Sequence, residues 1–258
     1  MVSKVEIFGL ERIPLVKPGD DIAQLIFDAA RSQKIKPADG DVVVVSHKII
    51  SKAEGLLVDI SCVTPGQRAR SISRRTRKDP RLVELILRDS NEVLRASPQA
   101  LVVRRKDGFL CLNAGVDKSN VDGRLIYCRL PDDSDLSANN IRVRLEQLSG
   151  RRLGVIVADT YSRPLRFGQV EFAIGISGFE PLFDYRGSED IFGYKLRYKL
   201  VGLADEVAAA AELVMGQGRE QIPVAIVRGL TRIRHSQERG LSRGLLLGRR
   251  MDLFRKIL

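Results

Sequence analysis

The chain has 258 residues, enough for one large domain or two small ones, and 44% are hydrophobic, which supplies a sizeable core. With 29% charged residues and no apolar run near 18 residues, the composition argues against a membrane-spanning helix. A net charge of +11 favours anionic partners, and three cysteines without a CxxC spacing suggest neither a zinc cluster nor a disulfide framework.

In chain order, MVSKVEIFG has no signal-like apolar stretch, so a cytoplasmic location is expected. Residues 5–8 read as a strand, 9–16 as a loop with Pro14, and Pro18-Gly19 as a turn. Asp20 is placed to cap a helix in which Ile22, Leu25, Ile26 and Ala29 keep helical spacing. Four consecutive valines in 41–46 predict a fully buried strand, and 46–55 leaves it as a polar, basic segment. Residues 68–81 carry seven basic residues and one acid. Asp79-Pro80 opens a helix expected to reach Leu94. Strands are expected at 100–104 and 109–112 around Lys106-Asp107-Gly108, and at 125–130, with the loop NAGVDKSNV between. Cys111 and Cys128 fall inside those apolar runs and are expected to pack.

A helix using Ile141, Leu145 and Leu148 should stop at Gly150. Strands at 155–157 and from about Phe172 to 177 follow, with Asp159-Thr160 at the exit of the first. Residues 179–193 are loop-like, 204–216 an alanine-rich helix closed by Gln217-Gly218, and 224–227 a last core strand. The tail from Arg228 holds nine basic residues and two acids, with Leu241, Leu245 and Leu246 to pack one face. Strands and helices mix without strict alternation. That pattern predicts an α/β fold of the α+β type, with mixed sheets, packed helices and a non-Rossmann topology. A single module over 1–258 is expected, with subdomain boundaries near 60–80 and 180–200 if it divides.

Absences narrow the chemistry. There are two histidines and no nucleophile elbow, no HExxH, no P-loop and no GxGxxG. Carboxylates, hydroxyls, amides and cations remain, an inventory that suits a hard cation such as Mg2+ or Mn2+ with bound phosphates. Asp117 in NAGVDKSNV reads either as a metal ligand or as the acceptor of an Asx-type turn. Asp159 and Thr160 read either as metal ligands or as a turn cap, since ligands commonly bind at strand carboxyl ends. Arg163 and Arg166 suit phosphate or carboxylate, or else a surface ion pair with Glu171 or Glu180. Lys48 and Lys52 could reach a triphosphate, or line a solvated basic loop. Asp205 and Glu206 read more readily as helix-dipole partners than as ligands, and Gln217 is an unusual residue for a helix end.

Together SHKIISKAEG, NAGVDKSNV, VADTYSRPLRFGQVEFAIG, DYRG and ADEVAAAAELVMGQ, in this order, resemble the coenzyme F-420-0:gamma-glutamyl ligase family from about Ile7 to Gly229. The resemblance implies a GTP-dependent amide-forming ligase that adds L-glutamate to F-420-0, releasing GDP and phosphate, with further gamma-linked glutamates in some members. It implies two Mg2+ or Mn2+ ions and K+, and an intertwined homodimer. By motif position, Asp117 and Asp159 would share one metal, and Thr160 and Gln217 would support a second. Pro14, Leu15, His47, Lys48, Lys52, Asn120 and the segment beginning Met215, Gly216 and Gln217 would line the GTP site. Arg163 and Arg166 would hold phosphate or carboxylate groups during catalysis. The chain departs from the family pattern at Tyr161-Ser162, Leu165, Val170 and His47, which touches substrate preference more than reaction type. At 258 residues no C-terminal flavin domain is expected. The alternatives are another nucleotide-dependent ligase or phosphotransferase, or a basic nucleic-acid-binding protein. Against the last stands an aromatic content of 5% with no Trp, which leaves few stacking platforms.

Overall fold

The computed structural model describes residues 4–163, 166–238 and 240–248. In chain order its first elements are β1 (Glu6–Gly9), α1 (Ile22–Ser32), β2 (Val42–Ser46), α2 (His47–Ala53), β3 (Leu57–Asp59) and α3 (Gln67–Thr76). There follow α4 (Pro80–Arg88), β4 (Ser90–Ala96), β5 (Leu101–Arg105), β6 (Leu110–Leu112), β7 (Ile126–Cys128) and α5 (Ser134–Ser149). The last are β8 (Gly154–Ser162), β9 (Gln169–Ser177), β10 (Phe183–Asp184), β11 (Leu200–Val201), α6 (Leu203–Met215) and β12 (Val224–Arg228). The fold is mixed α/β, as the sequence pattern predicts. No described helix is long and apolar enough to cross a membrane.

Two compact units emerge. Among the described residues, the first takes 4–16, Asp20–Ile49 and Asp133–Leu245; the second takes Lys17–Gly19, Ile50–Asp132 and 246–248. The first unit is built on a five-stranded sheet in the order β1-β12-β2-β8-β9, in which only the β2–β8 pair is parallel. Val42, Val44, Ile156, Ala158, Ala173, Ala225 and Val227 face Leu203, Ala204, Val207, Ala208, Ala211 and Met215 of α6. The opposite-facing Val43, Val45, Val155 and Val157 are buried as well, which is why the valine run shows no alternation. Each such side chain contributes about 1.5 kcal/mol or more relative to exposure. The small residues of α6 let the helix lie close to the sheet. Helix α5 packs on β8, β9 and α1, and a Cβ at Gly175 would come within 2.2 Å of the Ser134 carbonyl oxygen. Asp135 accepts from the backbone N–H of Ile176 and from Ser242, which ties α5 to β9 and to the short 3-10 turn Leu241–Leu245.

The second unit has a three-stranded antiparallel sheet, β4-β5-β6, a β3–β7 pair, and α3 packed on α4. Its core includes Ile60, Val83, Leu85, Ile86, Leu101 and Val103. Cys111 and Cys128 are buried in strands, as expected.

Several expectations are corrected. The helix opened by Asp79 stops at Arg88, because Asp89 turns out to receive both guanidinium contacts from Arg129 and residues 90–96 pair with β5. The cap of α1 is Asp21, whose Oδ1 accepts from Gln24 N–H at 3.0 Å. Residues 47–53 form a helix, with His47, Ile49, Ile50 and Ser51 buried. Helix α3 escapes the sequence pattern because its buried Ala69, Ile72 and Thr76 are hidden among arginines. Helix α6 ends at Met215 with Gly216 as its cap. The segment 179–193 contains β10. Most consequentially, β8 does not stop at Asp159. It runs on to Ser162, paired with β9, which begins at Gln169.

Candidate active site

The extended β8–β9 hairpin sets the geometry. After a bulge between Val157 and Ala158, Ala158 pairs with Ala173, Asp159 with Phe172 and Thr160 with Glu171. Side chains alternate across a strand, so Thr160 and Glu171 share the face of Ala158 and Ala173, the face covered by α6. The C-terminal end of α6 adds Glu212 and, just past its cap, Gln217. Thr160 Oγ1 donates to Gln217 Oε1 at 2.9 Å. Gln217 Nε2 donates to Glu171 Oε1 at 3.0 Å and to Glu212 Oε1 at 2.9 Å. The parallel register places Ser46 beside Ala158, so the next residues, His47 and Asp159, are neighbours: His47 Nε2 lies 3.3 Å from Asp159 Oδ1.

Negative charge is concentrated here. Burial, then the charge of Asp159, push the Glu171 carboxyl up to about 8, and Glu212 adds to the push; hydrogen bonds from Gln217 and Thr160 oppose it. Glu171 is 4% exposed, and its Oε2 has no hydrogen-bond partner among the described residues. No three His, Cys, Asp or Glu side chains among the described residues converge as a closed metal site. The arrangement has the character of an open oxygen-rich site, the kind in which Mg2+ keeps water and substrate phosphate as ligands.

The remaining candidates of the first unit are spread around it. Pro14 and Leu15 are exposed in the loop after β1. Lys48 is half-buried in α2. The Met215 side chain is in the apolar core, and Gly216 N–H caps α6 on the Glu212 carbonyl. Arg163 donates from Nη2 to the Phe167 carbonyl at 3.1 Å, while its buried Nε has no partner among the described residues; Arg166 is exposed. Neither arginine pairs with Glu171 or Glu180 among the described residues. Leu165 lies outside the described residues, as do Arg239 and the end of the basic tail. Asp205 proves to be a staple: burial pushes its carboxyl up, and its Oδ1 accepts from Ala173 N–H at 3.0 Å. Glu206 accompanies it in the first turn of α6.

Asp117, Asn120 and Lys52 belong to the second unit. The Asp117 backbone bridges to Cys128, and its side chain accepts from the N–H of Lys118 at 2.6 Å, the N–H of Ser119 at 3.2 Å and the Ser119 hydroxyl. The loop enters through three consecutive left-handed residues, Asn113, Ala114 and Gly115, with φ of 52°, 54° and 70°. Buried Arg105 holds that turn by donating to the Ala114 carbonyl at 3.0 Å. Asn120 is also left-handed, and Lys52 is half-buried in the last turn of α2.

Sequence reasoning missed Glu171 and Glu212 as members of the cluster. The available signal was a carboxylate inside the apolar alternation of QVEFAIG, on the parity of Ala173.

The family model described as F420-0:Gamma-glutamyl ligase matches residues 11–229. The chain belongs to this gamma-glutamyl ligase family. It is 43% identical over 251 residues to the coenzyme F420:L-glutamate ligase of Methanothermobacter thermautotrophicus, covering 97% of this chain and 99% of that protein. It is 43% identical to the protein of the same name from Methanopyrus kandleri, over 86% of each chain, and 44% identical to that of Archaeoglobus fulgidus, over 88% of each. The ligase-family match takes in β8, β9, α6 and the Asp117 loop, and ends just past β12.

Proposed function

We propose that this chain joins L-glutamate to F-420-0 through an amide bond at the expense of GTP. The observation that carries the reading is the Thr160 hydroxyl bonded to Gln217 Oε1, beside Asp159 whose Oδ1 accepts from the Thr160 backbone N–H, inside the segment matched to the ligase family. The donor set is hard and carries excess negative charge, which fits Mg2+ or Mn2+ and not a thiophilic metal. Asp159 would hold one ion, Thr160 and Gln217 a second, with K+ as a further cation. Bound there, divalent cations neutralise phosphate oxygens during transfer.

The chain's own residues supply positioning. His47 and Lys48, with Pro14, Leu15 and residues 215–217, serve the nucleotide. Arg163 and Arg166 serve phosphate or carboxylate, which lowers the entropic cost of assembling three substrates. A carboxylate oxygen of F-420-0 attacks the γ-phosphorus and GDP departs. The glutamate amine then attacks the acyl carbon and loses a proton, and phosphate leaves with that oxygen. A homodimer is supported by the apolar side chains left at the surface between β10 and β11: Ile191, Phe192 and Tyr198 are 91%, 89% and 90% exposed. A cytoplasmic setting suits these substrates.

Mass spectrometry of products from GTP, Mn2+, F-420-0 and each candidate amino acid tests the reading. A glutamyl adduct formed only with glutamate is expected. Oxygen-18 placed in the F-420-0 carboxylate should appear in the released phosphate. Turnover with another amino acid in place of glutamate would point to a different ligase. One observation favours a polyanion reading: Arg68, Arg70, Arg74 and Arg75 are exposed along α3 and make no ion pair among the described residues. Tight oligonucleotide binding with steep salt dependence and no GTP turnover would replace the ligase reading.

A further inference from the structure

Gln217 is exposed, lies beyond the end of α6, and yet has its amide fixed on every side. A side-chain amide can turn over at little steric cost, which exchanges its oxygen and nitrogen. Here both amide hydrogens have carboxylate acceptors, Glu171 Oε1 and Glu212 Oε1. A turned-over amide would aim its carbonyl oxygen at Glu171 Oε1 and Glu212 Oε1 and forfeit both hydrogen bonds that its NH2 group now donates. The oxygen is therefore held on the other side, toward Thr160 Oγ1. The clamp is itself anchored. Glu212 Oε2 accepts from the backbone N–H of Glu171 at 3.2 Å, which ties the end of α6 to β9.

Thr160 has one hydroxyl proton and two acceptors in reach, Gln217 Oε1 at 2.9 Å and Glu171 Oε1 at 3.5 Å. When a cation takes the lone pair of Gln217 Oε1, the proton can turn to Glu171. Thr160 Oγ1 then offers a lone pair to the same cation. An amide presenting its NH2 group instead would repel that cation.

The geometry points to Glu171 and Glu212 as positioning residues that lock the Gln217 amide, so that Gln217 Oε1 and Thr160 Oγ1 face one divalent cation. This rests on the metal assignment made under the proposed function. The two glutamates act through Gln217 and have no contact with nucleotide assigned to them.

Mn2+ binding to the full chain, read by the electron paramagnetic resonance of free Mn2+ without nucleotide or F-420-0, tests the inference. Glu212→Gln, at a half-buried site that tolerates an isosteric amide, should weaken Mn2+ binding about tenfold or more, and Glu171→Gln should act in the same direction. In a Gln217→Ala background Glu212→Gln should cost nothing further, because its effect passes through the missing amide. Thermal melts of each variant separate loss of fold from loss of metal. Wild-type Mn2+ binding by folded Glu212→Gln and Glu171→Gln, alongside weakened binding by Asp159→Asn, would overturn the positioning role alone. So would an undiminished effect of Glu212→Gln in the Gln217→Ala background. Wild-type binding by both Asp159→Asn and Gln217→Ala would overturn the metal reading and the positioning role with it.

Discussion

Asp117 and Asp159 are both aspartates that come after an apolar run, yet the groups that surround them come from different distances along the chain. The hydrogen-bond donors around the Asp117 carboxylate are its next two neighbours, Lys118 and Ser119, and its loop is shaped by a run of left-handed backbone. The surroundings of Asp159 and its neighbour Thr160 are assembled from the start of α2, β9 and the end of α6, through His47, Glu171, Glu212 and Gln217. The first arrangement is set by local backbone conformation, and the second exists only once the sheet and α6 are packed. A substitution in the loop should therefore act mainly on local order. One in the hairpin should act on charge and on ligand binding.

The largest expected effect is that of Asp159→Asn. Amide formation should fall about a hundredfold or more, matching the several kcal/mol that metal-assisted charge stabilisation supplies, with the thermal melt little changed. Full product formation by this variant at low Mn2+, measured by mass spectrometry, would remove the hairpin from the metal site. Next is Gly115→Ala in the other region. An L side chain at φ of 70° is strained, and the added Cβ would come within 2.3 Å of Leu130 Cδ1. A loss of about 2–4 kcal/mol in urea unfolding is expected. An unchanged midpoint would show that the loop does not depend on its backbone conformation.

The charge of the hairpin should also be visible in pH dependence. In the folded chain the Glu171 carboxyl keeps its proton up to about 8, against an ordinary value of 4.5. The folded state thus binds a proton that the unfolded state has lost between those values. Its contribution to stability is full below 4.5 and is lost as pH rises through about 8. In EDTA the melting temperature should fall across that window, and Glu171→Gln should flatten the fall. A wild-type melt that stays level there would contradict the burial of this carboxyl. The smallest effect is expected for Ser119→Ala, which removes one hydroxyl donor to Asp117 and should cost about 1 kcal/mol. A larger loss in urea unfolding would mean that the loop leans on side chains more than on backbone.

The same contrast explains what was legible in the sequence. The valine strand, the alanine helix and the Asx-type turn at Asp117 are visible because each is written in consecutive or helically spaced residues. Helix α3 is hidden because its three buried positions sit among arginines, and composition outweighs periodicity over so short a span. The extension of β8 through polar Asp159, Thr160 and Ser162 is hidden because only pairing with β9 reveals it. In the sequence Glu171 reads as nothing more than an ion-pair partner, because its place opposite Thr160 exists only in the paired hairpin. Gln217, singled out as unusual at a helix end, acquires its surroundings from Glu171 and Glu212, residues that carry no motif of their own.

The pairing of β2 with β8 also has a consequence for synthesis. All of β3 to β7, with α3 and α4, is inserted between these two central strands. On the ribosome Val42 to Ser46 emerge long before any partner strand exists, and that run of valines is the most apolar strand of the sheet. The inserted unit, whose segment Ile50–Asp132 is nearly continuous, can close while β2 is still waiting. The nascent chain thus carries an unpaired, aggregation-prone strand until β8 and then β12 arrive, after the segment Ile50–Asp132 is already complete.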